Sequence, residues 1–120
     1  MFRSLMDGGA NLTFGSDWTV APLNPITGIY ASVTRRTRDG KNPDGWFPEQ
    51  KITVEDALKC YTINNAYASF WEKKTGSISV GKYADFVVHS ENLLTIDSNN
   101  LLDSKVLRTV VGGKDYLFEQ

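Results

Sequence analysis

Histidine is nearly missing from this sequence: His89 is the only one in 120 residues. A catalytic metal centre needs at least three protein ligands, so a multi-histidine site cannot come from this chain alone. Cysteine is equally scarce. Cys60 stands by itself, which excludes an internal disulfide, and its place in a helical pattern is that of a small buried residue in a reducing, cytoplasmic setting. Long apolar runs are absent too, so no segment approaches the ~20 residues of a spanning helix and the N-terminus carries no signal-peptide pattern. Thirteen basic against fourteen acidic residues leave a net charge of -1. Without a basic stripe, nucleic acid is not an expected partner, and neither is a membrane. The one local excess, Arg35-Arg36-Thr37-Arg38, reads as a solvated helix end whose cations complement the dipole. Repeats and low-complexity tracts are also lacking, so the order of elements carries the information.

What is present centres on Leu12-Thr13-Phe14-Gly15-Ser16-Asp17-Trp18. Leu12 and Phe14 alternate with Thr13 as in a half-buried strand, and Gly15-Ser16 is a place for the backbone to turn and present Asp17 at the strand's carboxyl end. On the residues alone, Asp17 is a turn or capping aspartate of a common kind. Ser16 lacks both a nucleophile-elbow glycine pattern and a nearby histidine, so it shapes the turn. Trp18 either covers the end of a core or lines a pocket.

The flanking elements follow from end signals. Phe2 to Asp7 has the texture of a helix end with Gly8-Gly9 as its left-handed cap. Asn24-Pro25 opens a helix whose apolar face is Ile26, Ile29, Tyr30 and Val33, with Gly28 marking a point of close packing. Residues 38 to 50 carry no regular pattern, and Trp46-Phe47 is their expected apolar anchor. Thr53 caps a helix with Val54, Ala57, Leu58 and Tyr61 inward. A change of register at Ile63-Asn64-Asn65 predicts a second helix, Asn65 to Trp71, capped by Asn64, with Ala66, Phe70 and Trp71 on its core side. Beyond residue 73 the texture turns to strand. Thr75 to Lys82 is a short extended piece, Tyr83 to His89 a strand, and Asn99 to Leu102 a helical turn. Val106–Val111 and Lys114–Phe118 then flank Gly112-Gly113 as a tight hairpin.

Four motifs in this order carry a resemblance: Gly15-Ser16-Asp17-Trp18, Thr53-Val54-Glu55-Asp56-Ala57-Leu58, Thr62-Ile63-Asn64-Asn65-Ala66, and Gly76-Ser77-Ile78 followed by Gly81-Lys82-Tyr83-Ala84-Asp85-Phe86-Val87-Val88. Together they resemble the C-terminal part of metal-dependent amidohydrolases of the family 3 type, whose members are often labelled exoenzyme regulatory protein or predicted metal-dependent hydrolase. The resemblance implies an α+β fragment with two parts. Residues 1–73 would be the last strand and closing helices of a (β/α)8 barrel, and residues 74–120 the C-terminal share of a small β-sandwich.

The implied function is hydrolysis of carbon-nitrogen bonds other than peptide bonds, on a small-molecule amide or related substrate, with a divalent metal, zinc by expectation. In that picture the residue matching Asp17 holds the metal, takes a proton from the attacking water and passes it to the leaving nitrogen, and Trp18 lines the substrate pocket. The family's His-x-His and later histidines have no counterpart in this chain, and His89 falls in the β part with no ligand role. Asp85 is expected to hold the turn after Gly81-Lys82 through backbone hydrogen bonds. The 120-residue chain alone is therefore expected to be inactive and free of metal, and to associate into a homo-oligomer that covers its unpaired strand edges. A non-catalytic regulatory or binding module is the alternative.

Overall fold

Short polar caps set where the helices begin. The computed structural model describes residues 1–116, and within it Asn24 accepts the Ile26 amide at 3.0 Å while Pro25 fills the first helical position. Among the described residues the α-helices are Phe2–Asp7 (α1), Pro25–Thr34 (α2), Val54–Tyr61 (α3) and Ile63–Ala68 (α4). In α3 the Thr53 hydroxyl accepts the Asp56 amide at 3.0 Å, and Glu55 and Asp56 sit in the first turn, where the dipole favours negative charge. Single 3-10 helices cover Pro48–Gln50 and Ser98–Asp103. Three strands, Phe86–His89 (β1), Val106–Val111 (β2) and Lys114–Tyr116 (β3), form an antiparallel sheet in the order β1-β2-β3. The Gly112-Gly113 hairpin forms as expected, with both φ angles positive (56° and 77°), the mirror-image turn that suits strand twist. Leu117 and Phe118, the end of the expected last strand, lie outside the described residues.

The core gathers Ile26, Ile29 and Tyr30 of α2, Ile52, Ala57 of α3, and Leu93 and Leu101 from the connection between β1 and β2. Phe2, Met6 and Phe14 pack against it from the N-terminal side. Cys60 is fully buried, as its helical position predicts. Gly28 meets Tyr61 so closely that a Cβ there would stand 1.9 Å from the phenol oxygen.

Several expectations need correction. Residues 12–15 keep the alternating burial of a strand but form none, because a ladder needs a neighbouring strand and none lies alongside among the described residues. The piece from Thr75 to Lys82 is likewise turns and bends, knitted by the Lys82 ammonium, which donates to the Thr75 carbonyl at 3.2 Å and the Ser77 hydroxyl at 2.7 Å. Helix α4 starts two residues early and stops at Ala68; of its expected core side only Ala66 is buried, while Phe70 is 91% exposed at a left-handed φ of 59° and Trp71 is also exposed. The Trp46 and Phe47 rings are exposed and touch each other edge to face, so they are no apolar anchor; the loop is held by hydrogen bonds instead, the Trp46 N–H and the Asn42 amide both donating to the Arg35 carbonyl, at 2.7 and 3.1 Å.

The basic cluster is not simply solvated. The Arg35 guanidinium lies 5.1 Å over the Phe2 ring and its Nε donates to the Trp46 carbonyl, while Arg36 donates to Asn99.

Candidate functional site

The segment leading to Asp17 shows the burial period of a strand without its ladder: Leu12, Phe14 and Ser16 are half-buried, and Thr13, Gly15 and Asp17 face solvent. Phe14 is its packing anchor. Its ring sits 5.1 Å from Phe2 and meets Tyr61 edge-on at 5.5 Å. The backbone of the same residue is fixed as well, since its N–H donates to the Cys60 carbonyl at 3.0 Å.

The chain reverses at Asp17 itself rather than at Gly15-Ser16. Asp17 takes a left-handed φ of 54°, and its carbonyl accepts the amides of both Val20 and Ala21, at 2.8 and 3.0 Å. Aspartate tolerates this region better than most residues, although the conformation still costs on the order of 1 kcal/mol. The turn leaves the Asp17 carboxylate at the surface and sets Trp18, 64% exposed, beside it. The two residues singled out in the sequence thus share one exposed corner. Beside the segment runs an open groove lined by Phe2, Thr13, Phe14, Gly15, Gly28, Arg35 and Tyr61.

Two residues named in the sequence for other reasons have a part in this geometry that it did not assign them. The Asn64 side-chain amide donates to the Leu12 carbonyl at 2.8 Å, and that of Asn65 to the Phe14 carbonyl at 2.8 Å. Asn64 therefore does not cap α4, a position that falls to Thr62 without a side-chain hydrogen bond. The signal was available: consecutive asparagines are poor formers for so short a helix, so their side chains are expected to bond elsewhere.

The remaining candidates settle into structural parts. Asp85 accepts the Thr75 hydroxyl at 3.0 Å and the Gly112 amide at 2.6 Å, so it ties the hairpin loop to the Thr75 turn instead of holding the turn after Gly81-Lys82. His89 ends β1 half-buried, its Nδ1 3.5 Å from the Ser104 hydroxyl, and burial pushes its pKa below the ordinary histidine value. Among the described residues no three His, Cys, Asp or Glu side chains come together to hold a metal ion. Asp17 suits one place in a divalent-cation shell and no more, so the residues present do not amount to a metal site. No described helix is long and apolar enough to cross a membrane.

Comparison with known proteins places the chain in a family. A model of the amidohydrolase family matches residues 1–115. The chain is 42% identical over 114 residues to protein LONG AFTER FAR-RED 3 of Arabidopsis thaliana, covering 95% of this chain and 19% of that protein. It is 32% identical over 111 residues to an N-substituted formamide deformylase of Arthrobacter pascens, covering 92% and 20%. With the putative amidohydrolase YtcJ of Bacillus subtilis the identity is 30% over 113 residues, covering 94% and 21%. The crystal structure of an amidohydrolase from Thermotoga maritima superposes with a TM-score of 0.73 at 24% identity, covering 98% of this chain and 26% of that one, a likeness of fold. The chain thus spans about a fifth of the length of the curated relatives it matches. By its match to the family model over nearly its whole length, this chain belongs to the amidohydrolase family.

Proposed function

We propose that this chain is the C-terminal part of a metal-dependent hydrolase acting on carbon-nitrogen bonds other than peptide bonds, and that Asp17 is its reacting carboxylate. The observation that carries the reading is the exposed corner at Asp17, formed by a segment inside the family match and aimed away from this chain's own core. In this reading residues 1–73 close a (β/α)8 barrel and residues 74–120 belong to a small β-sandwich. The other ligands of a divalent cation, zinc by preference, come from outside the chain; such a cation supplies an activated water at neutral pH. Asp17 holds and moves the proton that must reach the leaving nitrogen, and Trp18 forms part of the wall against which a small amide lies. The setting we assign is cytoplasmic.

The test is the mass of the native product, detected with an antibody to this segment, followed by Asp17→Asn in that product. A product several times heavier than 13.4 kDa is expected. Its hydrolysis of a panel of small non-peptide amides, N-substituted formamides included, should fall at least about a hundredfold in the Asn variant, the usual scale of a lost proton carrier. Full activity of Asp17→Asn would remove the assignment. A native product of 13.4 kDa would favour the second reading, a non-catalytic regulatory or binding module. One observation supports that alternative: the chain has a single histidine, and among the described residues no three His, Cys, Asp or Glu side chains come together to hold a metal ion.

A further inference from the structure

We propose that Asn64 and Asn65 are positioning residues, a two-amide clamp on the segment ending at Asp17 that fixes where its carboxylate stands. The inference rests on the reading of Asp17 given above.

In an extended chain the carbonyls of residues two apart point to the same edge. Leu12 and Phe14 offer two such carbonyls, and the amides of Asn64 and Asn65 take one each, both at 2.8 Å. The Phe14 N–H, on that same edge, donates to the Cys60 carbonyl at 3.0 Å. Three hydrogen bonds therefore hold one edge of the segment, and all three come from the junction of α3 and α4. The clamp ends at Phe14, three residues before the carboxylate.

The helix that carries the clamp is itself held from another side. Gly76, at a φ of +83°, lies so close to α4 that a Cβ there would stand 2.6 Å from the Ala66 Cβ and 3.0 Å from the Ile63 Cα. Any larger residue at 76 would push α4, and with it both asparagines. This relates the separated motifs mechanically: Gly76 sets α4, α4 sets the amides, and the amides set the arm of Asp17. Asparagine is a weak helix former, so two in the first turn of a six-residue helix cost stability that a purely structural helix has no reason to lose.

A proton carrier works only within hydrogen-bond reach of the reacting atoms, and a displacement of about 1 Å can cost about a hundredfold in rate. The experiment uses the full-length native product carrying Asn64→Asp, Asn65→Asp, Asn64→Leu or Asn65→Leu. The Asp variants keep shape and replace the donor with an acceptor; the Leu variants keep bulk and remove the polarity. Amides of residues 12–17 should exchange hydrogen at least about tenfold faster than in the parent, with those of α2 unchanged. On the same panel of small amides kcat should fall about ten- to a hundredfold with KM within about twofold.

Unchanged exchange over residues 12–17 overturns the clamp, whatever the product hydrolyses. Faster exchange with unchanged kcat overturns the positioning role. Loss of the Asp17 assignment would show separately, as an Asp17→Asn variant that keeps its rate.

Discussion

At the scale of single residues, close approaches decide more than propensities do. Gly28 weakens an otherwise well-formed helix by up to about 1 kcal/mol relative to alanine. The structure shows what that cost permits: the Tyr61 phenol oxygen occupies the space a Cβ would need, at 1.9 Å, with the ring carbon behind it at 2.9 Å. The Tyr61 ring meets Phe14 edge-on, so moving it aside gives up that contact. Overpacking of this kind costs about 1–3 kcal/mol, so Gly28→Ala should lose about 1 kcal/mol net of its helix gain, read as a lower denaturant midpoint. Adding Tyr61→Phe removes the closest atom and should recover part of the loss. A more stable Gly28→Ala would show that Tyr61 moves aside without cost. The close packing at Gly28 was legible in the sequence, since a glycine in the middle of an apolar helical stripe needs a reason. The left-handed turn at Asp17 was not, because the neighbouring glycine offered a simpler place to turn.

Among the elements, those with local start signals were legible and those needing a distant partner were not. Helices α2 and α3 begin where Asn24 and Thr53 place their caps, and each cap makes its expected hydrogen bond. The hairpin of β2 and β3 turns at two glycines, as the pattern required. The strand proposed for Leu12 to Gly15 has the right alternation and no ladder, since pairing depends on chain that local sequence does not describe. Helix α4 misled for a related reason: Asn64 resembles a cap, but its amide is committed 52 positions away at Leu12. Phe70 and Trp71 resemble core residues and lie outside. The legible caps carry a quantitative expectation. Asn24→Ala leaves the Ile26 amide without its acceptor and should cost about 1 kcal/mol, whereas Asn24→Asp, which keeps the acceptor, should cost a few tenths at most. Equal losses in the two variants, measured by denaturant unfolding, would mean that the cap does not hold α2.

For the whole molecule the surface area is the informative quantity. The chain exposes 8391 Å², where a folded monomer of its mass is expected to expose about 6,500 Å². Its radius of gyration is 15.0 Å, against about 13.6 Å for a compact domain of this length. The excess, roughly 1,900 Å², is more than one side of an ordinary protein interface, which buries about 800 Å² per partner. Large apolar side chains contribute to it in both halves of the chain, from Trp18, Val20 and Leu23 to Phe70, Ile78 and Val80. The apolar share of this excess is costly in water, at about 25 cal/mol per Å², and drives association. Expressed by itself, the 120-residue chain should therefore run above 13.4 kDa by light scattering, with a mass that rises with concentration, and should bind an apolar dye. Joined to the remainder of a family-length chain, the same surface should be covered, so dye binding per molecule should fall. A concentration-independent 13.4 kDa species that binds no dye would contradict both expectations. It would mean that these side chains fold back against one another in solution, and the case for Asp17 facing residues supplied from outside the chain would lose its structural support.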